Sequence, residues 1–223
     1  MVLAIVFALL VTPVPSGPPR PPTPAPAPMR VTEAMFPTQP VVLSGLTALT
    51  ALLDTTTYAA LGFKSLKEIE SAQPGIPMAR FIVPLVGLRN YQPAMDPAQL
   101  LIPSDVSLYP IEVSGAARSS IAFAKLAGFW RPVAFGNPHL ISALDQIRAQ
   151  DSKATQTPIS SYFVVAIPAL ETVFLGVNTP AEIDLIPVFT DKLLGLHAGM
   201  RMPARDVFTQ LAPFAQRYNG LPT

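Results

Sequence analysis

Proline restricts this chain more than any other residue: 27 of its 223 positions carry it. Each proline fixes φ near about −65° and offers no backbone donor, which disfavours helix interiors and central strands. Nine of them fall between Pro13 and Pro28, among Ser, Gly, Thr and Ala. That stretch predicts extended polyproline II and reads as a semi-rigid linker over 13–30. Pro18-Pro19-Arg20-Pro21-Pro22 also has the proline–arginine mix of an SH3-type ligand, but the spacer reading accounts for the whole tract. The remaining prolines punctuate residues 31–223, where apolar runs are short. A single α+β domain is predicted there, with an N-terminal helical segment.

Ahead of the linker, Val2 to Val11 is an unbroken apolar run of ten residues. This is half of the roughly 20 needed to span a bilayer as a helix. It fits the apolar core of a signal peptide, and Ser16-Gly17 supplies small residues near a cleavage point. No Lys or Arg precedes the run, which departs from the usual signal pattern. Residues 1–12 are read as a signal, targeting or anchor segment. The expected location is exported (periplasmic or extracytoplasmic) or organellar, in a lumen or intermembrane space, with possible membrane association.

Half of the residues are apolar and only 13% are charged, with 15 basic against 14 acidic. A balanced charge argues against nucleic acid as a partner. The absence of Cys removes disulfides, thiolate nucleophiles and Cys-based metal sites.

From Val42 to Phe63 the leucines Leu46, Leu49, Leu52 and Leu53 recur at helical spacing and Gly62 marks an end. A buried amphipathic helix is expected. Residues 42–63, like residues 2–11, are also a candidate for membrane proximity, although Asp54 would fall near the centre of a span. Ser65 and Glu68 have capping-box spacing and open a second short helix. Strands are predicted over Phe81–Leu88, Val106–Val113, Ile121–Leu126 and Trp130–Phe135. Pro110 argues that Val106–Val113 is peripheral. Asn137-Pro138 predicts a capped helix start, with Leu140, Ile141, Leu144 and Ile147 inside and Asp145, Arg148 and Gln150 outside. Strands follow at Tyr162–Ile167, Thr172–Val177 and Asp184–Thr190. A closing helix from Pro203 carries Val207, Phe208, Leu211 and Phe214, stopped by Gly220.

The order strand, strand, strand, helix therefore occurs twice. Ser107 and Ser161, Tyr109 and Phe163, and Phe135 and Phe189 match at an offset of 54 residues. These matches predict pseudo-duplicated βββα units, about 104–153 and 158–218, building a mostly antiparallel sheet packed by helices.

The search for reaction chemistry finds no GxSxG, GxGxxG, phosphate-loop or HExxH pattern. His139 and His197 are the only histidines. His139 sits in the first turn of a helix, where the dipole disfavours a cation. His197 lies between Gly195 and Gly199, and a metal there would need Asp191 or Asp206. No catalytic, cofactor or metal residue is assigned. The apolar excess points to contact instead. Phe129, Trp130 and Arg131 stand beside Gly128, and aromatic or Arg anchors make binding hot spots. Met200 and Met202 flank Arg201 in the glycine-bordered loop, where methionine adapts to varied apolar partners. Phe129, Trp130, Arg131, His197, Met200 and Met202 are the predicted protein contacts.

The twice-repeated order behind a leader resembles the twenty-two-kilodalton Tic family of chloroplast inner-envelope translocon components and their cyanobacterial periplasmic relatives. Asp184–Leu193 (DLIPVFTDKL) is similar to that family's strand and acidic helix start, and Val165–Phe174 (VAIPALETVF) is a second likeness. The resemblance implies a non-enzymatic, chaperone-like factor acting on protein clients between two membranes. The expected function is thus binding without catalysis and without a cofactor. The alternatives are an accessory subunit of a membrane-bound complex and, third, a hydrolase of unknown type.

Overall fold

The computed structural model describes residues 31–180 and 182–218. The predicted leader, the linker and Gly220 lie outside them. In chain order the elements are α1 (Gln39–Ala51), β1 (Gln73–Pro74), β2 (Met78–Ile82), α2 (Leu85–Arg89), β3 (Ile102–Val113), β4 (Ala116–Leu126) and β5 (Phe129–Gly136). There follow α3 (Pro138–Thr155), β6 (Tyr162–Ile167), β7 (Thr172–Asn178), β8 (Ile183–Pro187), β9 (Met202–Pro203) and α4 (Ala204–Arg217). Short 3-10 turns join several of these. The fold is α+β: one sheet in the order β5-β4-β3-β2-β6-β7-β8-β9, with β1 paired to β3. Strands β2 and β6 run parallel, and every other pairing among the described residues is antiparallel.

Each half of the sheet is a four-strand meander followed by a helix. The offset of 54 residues equates β3 with β6, whereas the meander order equates β2 with β6. The two alignments disagree, and the predicted duplication stays unconfirmed.

Alternation along the strands divides the apolar residues between two faces. On one face, Phe81, Phe163, Val165, Phe174 and Leu185 pack under α4 through Val207, Phe208 and Leu211. Farther along that face, Ile111, Ile121 and Phe123 meet α1 through Val42 and Leu49. On the opposite face, Met78, Tyr162, Val164, Leu175 and Ile186 pack under Ile141 and Leu144 of α3. Phe81 and Phe163 meet edge to face at 5.1 Å across the parallel junction, which ties the two halves together.

Several local expectations change in the folded chain. The Val42–Phe63 helix stops at Ala51, because Asp54 Oδ1 accepts hydrogen bonds from the Thr56 and Thr57 amides and ties a turn instead. A helix of this length does not cross a membrane, and no described helix is long and apolar enough to do so. Ser65 makes no side-chain cap, and Glu68 accepts from the Lys64 amide, leaving a 3-10 turn over Leu66–Ser71. The run Phe81–Leu88 divides at Pro84 into the end of β2 and the start of α2. Pro110 lies in an interior strand, not a peripheral one. Its missing donor falls in the gap between the β1 and β2 pairings, where its carbonyl accepts from the Gly75 amide at 2.8 Å.

In α3, Asn137 is the N-cap residue but makes no side-chain bond there. Arg148, expected outside, is only 1% exposed. The helix also continues through Asp151 to Thr155.

Candidate contact surface

Helix α3 covers only part of its face. It reaches Leu108 and Ala117, and among the described residues the far ends of β3, β4 and β5 on this side belong to no buried cluster. In register on that open side lie Val106 and Ala124, Ala122 and Ala134, Ala124 and Arg131, and Leu126 and Phe129. Residues directly opposite in a ladder share a face. Ile82, Ile102, Val106, Ala122 and Ala134 join none of the three buried clusters. Val133, the extra residue where the β4–β5 register shifts, is exposed as well.

Two cations flank this region, Arg80 on β2 and Arg131 on β5, and neither forms an ion pair among the described residues. The outer edge of β5 is blunted by Pro132 and by the register shift beside it, as edge strands commonly are. That edge is therefore poorly suited to strand addition.

The six predicted contact residues fall into two groups at opposite ends of the sheet. Phe129, Trp130 and Arg131 begin β5. Phe129 is 70% exposed, Arg131 is exposed, and Trp130 turns to the other face and packs partly against the α1 cluster. His197 and Met200 are exposed in the loop between β8 and β9, whereas Met202 is half-buried in β9 opposite Leu185. Seven strand steps separate β5 from β9, roughly 34 Å at the usual spacing. The fold does not bring the two groups into one patch.

The second group stands on a locally ordered loop. Asp191 Oδ1 accepts from the Leu193 and Leu194 amides, and the Gly199 amide donates to the Pro187 carbonyl. Arg201 anchors the loop to α3 and β8, donating to Asp151 at 2.9 Å and to Asp184 at 2.8 Å. The Tyr162 hydroxyl donates to Asp151 as well. Burial pushes the pKa of Tyr162 up, and its bond to Asp151 pushes it further in that direction. This hub makes the loop a packed part of the fold.

A cleft of about 650 Å³ opens beside the C-terminal half of α3, lined among others by Gln39, Gly75, Tyr109, Glu112, Asp145 and Arg148. Arg148 donates to the Ile76 carbonyl and to Asp145, both at 2.9 Å, while its Nε has no partner. The lining of the cleft carries donors and acceptors but, among the described residues, no histidine and no nucleophile–base pair. His139 stacks on Phe189 at 4.9 Å, away from any acid–base constellation. Among the described residues no three His, Asp or Glu side chains gather as metal ligands.

Sequence reasoning missed Arg80, Leu126, Val133 and Ala134 as parts of the open surface, because their exposure depends on where α3 stops. Comparison with protein families, with curated proteins and with solved structures found no match.

Proposed function

We propose that this chain is a non-enzymatic binding protein whose protein client docks on the open face of β3, β4 and β5. The observation that carries the reading is an apolar surface of exposed Val133 and Ala134 and half-buried Val106 and Ala122, bordered by Arg80 and Arg131. Among the described residues this surface belongs to none of the buried clusters. A sheet face of this kind is ordinarily packed under another layer, and apolar patches left open on a monomer mark contact sites. Arg and aromatic neighbours supply the anchors that such contacts use. The resemblance to the twenty-two-kilodalton Tic family and the apolar leader support an exported or organellar setting and a chaperone-like role. An accessory subunit of a membrane-bound complex would use the same face against a permanent partner.

The test is aggregation of a chemically unfolded model protein, followed by light scattering, with and without the full chain. Suppression is expected, with an apparent affinity about tenfold weaker in the Ala134→Asp variant, a loss on the scale of one buried apolar contact. A chain that leaves aggregation unchanged at high concentration, or an Ala134→Asp variant that is as effective as the parent, overturns the reading. A tight stoichiometric complex with a single native protein would favour the subunit alternative.

A further inference from the structure

Two hairpin turns of the same geometry differ in chemistry. The β3–β4 turn is Ser114-Gly115, with φ of 52° and 77°, and the β4–β5 turn is Ala127-Gly128, with φ of 50° and 85°. Turns of this kind favour Asn, Asp or Gly at the first position, where a side chain must accept left-handed backbone. Ser114 is polar, as a solvated turn requires. Ala127 carries the backbone strain without any polar compensation, so turn formation does not explain it.

The neighbours extend the pattern. Leu126 and Phe129 face each other across the turn at 50% and 70% exposure. Nothing lies within 4 Å of the position a Cβ on Gly128 would take. Lys125 and Arg131 follow on either side, both exposed and neither in an ion pair. Lys125 pairs in register with Trp130 and Arg131 with Ala124, so the two cations stand on opposite faces of the hairpin. Asp105, the residue before the Val106–Ala124 pair on β3, is an exposed acid that forms no ion pair among the described residues.

We propose that residues 125–131 form a membrane-docking tip that inserts into the interface of an anionic lipid bilayer. Leu126, Ala127 and Phe129 would enter the headgroup–acyl boundary while Lys125 and Arg131 meet lipid phosphates from both faces of the hairpin. Cations of this kind add modest attraction that falls with salt, and the apolar side chains supply the rest. The half-buried Trp130 suits the same depth, where indole is enriched. A convex turn with an apolar end and a cationic collar matches a lipid surface better than a protein pocket. This contact shares Arg131 with the border of the client surface but does not involve Val106, Ala122, Val133 or Ala134.

Trp130 is the only tryptophan, so it reports the tip directly. The full chain is mixed with phosphatidylcholine vesicles, with and without phosphatidylserine, each carrying brominated lipid as a quencher. Quenching of Trp130 on the anionic vesicles is expected, reduced at high salt. The Leu126→Ser, Phe129→Ser double variant should bind about tenfold more weakly. An Ala134→Asn variant, which adds a polar group to the client surface without a charge beside Arg131, should bind vesicles like the parent, so failure of the client reading and failure of the tip are separable. Co-sedimentation without Trp130 quenching would mean attachment elsewhere and would overturn the proposal. So would unchanged binding by the double variant, or protection of Trp130 by an acidic amphipathic peptide with no response to vesicles.

Discussion

Arg148 lies seven residues after Ile141 and four after Leu144, on the stripe that helical periodicity turns toward the sheet. Its charge suggests the solvent side, yet the position is buried and the guanidinium reaches the Ile76 carbonyl and Asp145. Removing the side chain strands those acceptors. Arg148→Ala should destabilise by about 2–3 kcal/mol, less than the roughly 3–5 kcal/mol of a fully buried broken pair because Asp145 keeps water contact. Arg148→Met, which retains the packing, should lose less. Urea midpoints at unchanged slope would measure both.

Asp54 illustrates the opposite, exposed case. Hydrogen bonds from the Thr56 hydroxyl and amide, and then from Thr57, lower its pKa from 3.8 to about 2. A lowered carboxylate pKa means that the ionised form favours the folded state. Its contribution is complete above about 3.8 and disappears as pH falls toward about 2. Asp54→Asn should flatten that part of the stability–pH curve and leave the region above pH 5 parallel to the parent, a window set by ordinary carboxylate titration at about 4.

Among the elements, α1 gains its position from a missing side chain. A Cβ added at Gly45 would stand 2.5 Å from Cζ of Phe123, which is fully buried. Alanine would gain about 1 kcal/mol in helix propensity. Overpacking against a buried ring costs about 1–3 kcal/mol, so packing decides the sign. Gly45→Ala should lower stability by roughly 1 kcal/mol, and Phe123→Leu in the same chain should recover part of it, as thermal melts of the single and double variants would reveal.

Strand β3 makes a related point. Pro110 marks an edge by local rules, but the junction of β1 and β2 leaves a place for it inside the sheet. That junction was not readable from β3 itself, because it belongs to segments about thirty residues earlier in the chain.

For the whole molecule, the parallel pair β2–β6 and the Phe81–Phe163 contact join the two meanders into one sheet. One cooperative transition is expected. Trp130 emission reports the α1 side of the sheet and far-ultraviolet circular dichroism reports the whole, and their urea curves should coincide. Separate midpoints would mean that the halves unfold independently.

Periodicity and punctuation made the α+β class, the α3 and α4 helices and strands β6 and β7 legible, since each depends on residues close in sequence. The exposure of Phe129 and Arg131 was legible for the same reason, from aromatic and basic neighbours beside a turn glycine, whereas the inward turn of Trp130 was not. Prolines also acted locally, with Pro84 closing the run after β2 and Pro138 starting α3. Tertiary structure alone decided which strand was interior, which charge was buried and which half of a sheet face α3 left bare. Those outcomes depend on which distant segments meet, and a chain's local pattern does not encode the extent of the layer that covers it.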